Sequence, residues 1–260
     1  MDWKKELFPK DEKPLDRLVD GYSCTSIFRT IGFIGDSLSS GEFETRVEGL
    51  DTGYYDMFQY SWGQFIARKN GLKAYNFSRG GMTAQEYIES FADTNGYWDK
   101  EMACQAYVIA LGVNDIYGQN QEIGSIADID KTDYLNNKPT FMGYYAQIIA
   151  RYKEIIPDAK FFFVTCPNEA DGLTDKALGI RDALYSLAEY FENSYVIDLY
   201  KYGPVYDEEF RKRFYLYGHL NPDGYLFTAR IVDSYIDYII RHNSEDFKTV
   251  GFIGTDLRYK

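Results

Sequence analysis

Cysteine is sparse in this 260-residue chain. Cys24, Cys104 and Cys166 are odd in number and far apart, with no Cys-x-x-Cys pair, which excludes a disulfide framework and a zinc site. They read as reduced core thiols. Basic residues are outnumbered: 28 Lys and Arg stand against 40 Asp and Glu, a net charge of -12. Such a surface repels phosphate backbones and anionic lipids, and no Lys/Arg cluster offsets it, so nucleic acid is excluded as a partner. No apolar run approaches the ~18 residues of a membrane helix. The charged start, Met1-Asp2-Trp3-Lys4-Lys5-Glu6, lacks the apolar centre of a signal peptide. The expectation is a soluble cytoplasmic protein with no membrane partner. Histidine is scarcest of all, with His219 and His242 alone.

What is present is an alternation of apolar runs and amphipathic stretches. Residues 1–25 are charged, contain Pro9 and Pro14, and read as an extension; residues 26–260 contain no linker and read as one domain. The run Ile27 to Ile34 predicts a buried strand that stops at Gly35-Asp36-Ser37-Leu38. Residues 41–56 read as polar loop, and helical spacing predicts a helix over 55–70 with Gly71 as its cap. Strands follow at 72–77, 106–111, 160–165 and 195–198, and helices after Thr83 and at 141–156, 177–191 and 223–242. The long polar stretch 116–139 has the length of a lid or binding loop. Strand and helix in regular alternation select a parallel sheet with helices on both faces.

Three predicted strands end in small or polar residues: Ser37, the turn Arg79-Gly80-Gly81, and Asn114 in Gly112-Val113-Asn114-Asp115. A fourth such segment, Gly218-His219-Leu220-Asn221-Pro222, precedes the last helix. Parallel strands bring their carboxyl ends to one edge, where ligands bind. A nucleophile, a backbone donor, an amide donor and a base meet there. His242 closes a helix beside Arg241, where a cation complements the dipole, which leaves His219 as the neutral-pH base.

These blocks resemble the SGNH, or GDSL, hydrolase family. Gly35-Asp36-Ser37-Leu38 is similar to its first block, Asn76-x-x-x-x-Gly81 to its second, Gly112-Val113-Asn114-Asp115 to its third, and His219 with Asn221-Pro222 to its last. They occur in the family's order over about residues 31–225. The resemblance implies a three-layer α/β/α sandwich of flavodoxin-like form and ester hydrolysis through an acyl-enzyme, with no cofactor. Ser37 is then the nucleophile and His219 the base, and Ser37 N–H, Gly81 N–H and the Asn114 amide form the oxyanion hole. The chain departs from the family three residues before the histidine, where its usual aspartate is Leu216. Another carboxylate (Asp207, Glu208 or Asp223), a backbone carbonyl, or loss of activity are the three readings left, with Asp36 and Asp223 as candidates for support. The implied substrate is a small-molecule carboxylic ester, with small acyl groups on a carbohydrate as the narrower form. The rivals are a non-catalytic binding protein that kept the fold and a thioesterase.

Two other signals are set aside. Asp128-Ile129-Asp130 with Asp133 lacks the glycine and glutamate of a calcium loop, so no metal is expected. Among 25 tyrosines and 18 phenylalanines, Tyr117, Tyr134 and Tyr217 lie in segments placed to line a site mouth.

Overall fold

The first apolar stretch forms strand β1 (Thr30–Gly35) in the computed structural model, which describes residue 2, residues 8–170 and residues 174–257. Strands β2 (Lys73–Ser78), β3 (Ala106–Ala110), β4 (Lys160–Val164) and β5 (Ser194–Ile197) join it in a parallel sheet. The order is β2-β1-β3-β4-β5, so the winding reverses next to β1, and ligands bind beyond the carboxyl ends at such a reversal. Connecting helices are α1 (Ser37–Ser40), α2 (Trp62–Asn70), α3 (Phe141–Ile155), α4 (Thr174–Tyr190) and α5 (Pro222–His242).

Successive strand side chains point to opposite faces, and the apolar runs fill both. Ile31, Phe33, Val108, Phe162 and Val164 face a core closed by α2 and α5. Ile34, Tyr107, Ile109, Phe161 and Phe163 face a second core closed by α3, α4 and the helical segment 84–94. Burying each such Phe or Ile contributes about 1.5–3 kcal/mol, which is why the strands tolerate no polar interruption. The result is the three-layer α/β/α sandwich with a central parallel sheet.

Two local expectations change. The helix expected over 55–70 begins at Trp62, where Ser61 Oγ accepts the Gln64 N–H at 3.2 Å. Residues 41–56 are not loop: Glu42–Thr45 and Gly53–Asp56 pair as an antiparallel hairpin. Its alternation Glu42-Phe43-Glu44 puts Phe43 against Tyr60 and Tyr225, with ring centroids 5.7 and 5.6 Å apart, and both glutamates on the other side.

The stretch 116–139 is tied down rather than free. Asp128 accepts from Ser125 N–H at 2.8 Å and from Lys138 Nζ at 2.9 Å, and Phe141 N–H bonds Glu122 O at 2.9 Å. Of the three cysteines, Cys104 is a core thiol, whereas Cys24 and Cys166 are half-buried. Burial pushes the Cys166 thiol up to about 12. Among the described residues no helix is long and apolar enough to cross a membrane.

Candidate active site

At the exit of β1 the carboxylate of Asp36 caps α1, its Oδ1 accepting the Leu38 N–H at 3.1 Å. Ser37 is the first residue of that helix, so its hydroxyl stands just beyond the sheet edge. Burial pushes the Asp36 carboxyl up to about 7, against the Leu38 N–H, which lowers it; Asp115 adds to the rise.

β3 delivers Asn114 in the same way, at the start of a single π-helical turn, Asn114–Gly118. Its Nδ2 donates to Met82 O at 3.2 Å and lies 3.5 Å from Asp36 Oδ2, which fixes the amide beside the Ser37 loop. The β2 exit supplies the turn from Arg79 to Met82. Arg79 N–H bonds Gly35 O at 3.2 Å, which stitches that turn to β1. Gly81 sits there with φ +72°, a left-handed conformation that a side chain disfavours.

His219 arrives on a different device. Tyr215–Leu216 and His219–Leu220 pair antiparallel around Tyr217 and Gly218, with Tyr217 held at φ +60°. A non-glycine residue in that region costs about 1–3 kcal/mol, and the Arg46 guanidinium lies over the Tyr217 ring at 4.5 Å. Asn221 then caps α5, accepting the Gly224 N–H at 2.8 Å, with Pro222 at the first helical position.

Ser37, Asn114 and His219 line one cavity of about 290 Å³, together with Asp36, Tyr117, Glu169 and Arg211. Gly81 is not among its lining residues. Tyr117 reaches the cavity, but Tyr134 turns away to bond Glu154 at 3.0 Å, and Tyr217 is exposed under Arg46. Cys166 also borders the cavity.

The imidazole of His219 is flanked by the two hairpin glutamates. Its Nε2 lies 3.0 Å from Glu42 Oε1 and its Nδ1 3.5 Å from Glu44 Oε2. Among the described residues no hydrogen bond joins Ser37 to His219 in this arrangement. Burial raises the Glu42 carboxyl against the pull of His219, and Asp56 and Glu44 add to the rise. Burial also raises Glu44, but the Gly218 N–H and Arg46 outweigh it and hold that carboxyl below its usual range.

Three of the carboxylates named from the sequence, Asp207, Glu208 and Asp223, have partners other than the histidine. Asp207 caps the short helix Glu208–Phe214 by accepting the Phe210 N–H at 2.8 Å; Glu208 pairs with Lys212 at 2.7 Å. Asp223, the proposed support, is exposed and faces Arg213 at 3.6 Å. Glu42 and Glu44 went unseen because they lie on a strand read as loop; two acids at alternate positions, one face of a strand, were the available signal.

A doubly wound parallel sheet that gathers a serine, an amide and a histidine beyond its carboxyl edge is a hydrolase architecture. The model of the GDSL-like lipase/acylhydrolase family matches residues 33–226, and the chain belongs to that family of esterases and acylhydrolases. Solved structures share the fold at low identity. A family 2 carbohydrate esterase from Clostridium thermocellum, in complex with cellohexaose, is 15% identical with a TM-score of 0.57, covering 88% of this chain and 67% of that one. A family 2 carbohydrate esterase from Cellvibrio japonicus is 15% identical at 0.57, covering 85% and 63%. A family 3 carbohydrate esterase from Clostridium thermocellum is 14% identical at 0.51, covering 82% and 97%. No curated protein matches the chain by sequence.

Proposed function

We propose that this protein is a serine hydrolase that cleaves carboxylic esters of small acyl groups, carried by a carbohydrate alcohol, through an acyl-enzyme. The observation that carries the reading is the convergence of Ser37, Asn114 and His219, from separate parts of the fold, on one cavity. In the first half-reaction Ser37 Oγ bonds to the ester carbonyl carbon while its proton passes to Nε2 of His219. The carbonyl–oxygen bond to the alcohol then breaks, and His219 returns the proton to the leaving alkoxide. Water repeats the sequence on the acyl-enzyme and releases the acid. The Asn114 amide and the Ser37 N–H, both on the cavity wall, are the donors for the oxyanion, and one such donor is typically worth ~10²–10³ in turnover. A cavity of about 290 Å³ suits a short acyl chain, and Asn168, Glu169 and Arg211 on its wall suit an alcohol rich in hydroxyls.

A second reading, a binding protein without turnover, draws support from Leu216 and from the Glu42 contact at Nε2. One experiment separates them: intact mass after a fluorophosphonate, with Ser37→Ala as control, followed by acetyl and octanoyl esters of sugars and the matching thioesters. A single adduct absent from the Ser37→Ala protein, with acetyl sugar esters turned over fastest, supports the hydrolase. No adduct on folded protein puts the binding reading first.

A further inference from the structure

His219 Nδ1 is buried and makes no hydrogen bond that meets normal geometry, which is a costly state for a ring nitrogen. The atom that faces it is Oε2 of Glu44, 3.5 Å away. Glu44 is itself 3% exposed and held from two sides. The Gly218 N–H donates to Oε2 at 2.9 Å, and Arg46 Nε donates to Oε1 at 2.7 Å. The backbone around the histidine is shaped to this carboxylate: a Cβ at Gly218 would lie 2.8 Å from Glu44 Oε2. Arg46, which grips Glu44, also covers the Tyr217 ring, so one arginine ties the carboxylate to the strained turn that presents His219.

We propose that Glu44 is the positioning acid of this site, supplied by the hairpin after the nucleophile helix in place of an aspartate at position 216. The inference rests on the serine-hydrolase reading. A carboxylate at Nδ1 fixes the tautomer that leaves Nε2 free to take the Ser37 proton, and it steadies the imidazolium that results. Of the two flanking glutamates only Glu44 is on the Nδ1 side; Glu42 is on the side that Ser37 must use. The 3.5 Å separation exceeds the about 2.7–3.2 Å of a formed N–H···O bond, and such contacts tighten when the ring takes up charge. Leu216 cannot serve: it has no polar side-chain atom, and it pairs with His219 across the turn as an exposed residue.

The test is the rate of fluorophosphonate labelling of Ser37, followed by intact mass against pH. It uses the full chain and its variants Glu44→Gln, Glu44→Asp and Glu44→Gln/Leu216→Asp, each checked for folding by its melting temperature. Glu44→Gln is expected to label about 10²- to 10⁴-fold more slowly near neutral pH. Its acidic limb should move to lower pH, because a negative charge beside the ring is lost while Glu42, Asp36, Glu169 and Arg211 remain. Glu44→Asp should recover at least part of the rate, which a purely structural role of Glu44 would not require. Recovery in the double variant would support the role, since a carboxylate at position 216 would then replace the one lost from position 44. Wild-type rate and an unchanged limb in folded Glu44→Gln overturn the proposal and leave the hydrolase reading standing. Absence of labelling in the wild-type protein overturns the hydrolase reading itself, and the proposal with it.

Discussion

Glu42 Oε1 lies 3.0 Å from His219 Nε2, the nitrogen that takes the Ser37 proton in the proposed mechanism. Burial raises the Glu42 carboxyl, and a carboxyl that held a proton there would donate to Nε2 and compete with the serine. The two obvious substitutions then differ in sign. Glu42→Gln keeps a permanent donor at Nε2, whereas Glu42→Ala removes it. With a hydrogen bond worth about 0.5–1.5 kcal/mol net, the alanine variant should label Ser37 about two- to tenfold faster than the glutamine variant at the same pH. Equal rates in two folded variants would mean that Nε2 is not held from this side.

How much of this was legible beforehand follows the range of the interactions involved. Gly35-Asp36-Ser37 announced itself because an apolar strand and its polar exit are adjacent in the chain, and the same holds for Asn114 after β3. The α/β/α layering followed from the period of apolar residues in each segment, which both cores satisfy. The partners of His219 were illegible for the opposite reason. Glu44 and Gly218 are 174 residues apart, and their contact depends on the register of a hairpin of two four-residue strands, the second of which carries Tyr54 and Tyr55, both exposed as loop residues would be. The only local mark of Glu44 is its alternation with Glu42, a weak one in a chain with 40 acids.

Asp36 makes a pH-dependent contribution to stability. Its folded value is raised from 3.8 to about 7, chiefly by burial. Below 3.8 both the folded and unfolded chains hold the proton, and the associated stability is fully present. As pH rises toward 7 the unfolded chain releases the proton first, and stability falls until the folded carboxyl also ionises. Asp36→Asn keeps a side-chain oxygen for the Leu38 N–H cap and cannot ionise. Thermal unfolding from about pH 4 to about pH 8 should show the variant gaining on the wild type as pH rises, with the gain complete above about 7. Parallel profiles would mean that Asp36 is already ionised in the folded protein.

Glu12 sets the opposite slope, far from the cavity. It lies in the segment before β1, outside the family match, and it joins that segment to the end of α5, the helix that begins immediately after the His219 turn. Arg241 Nη1 and Nη2 donate to its two oxygens at 2.7 and 2.8 Å, and His242 Nε2 is 2.9 Å from Oε2. The Arg241 hydrogen bonds, opposed by burial and helped by His242, lower the carboxyl from 4.5 to about 2. A depressed carboxylate contributes stability that is present above 4.5 and lost as pH falls toward 2. Glu12→Gln should therefore lower stability at neutral pH by about 1.5–3 kcal/mol, the range for hydrogen bonds to charged groups, since Arg241 keeps Asp237 at 2.7 Å. The difference should shrink as the pH of a denaturant titration is lowered below 4.5 and vanish near 2. A deficit that stayed constant down to the lowest pH would trace the loss to packing of the segment, not to the charge of Glu12.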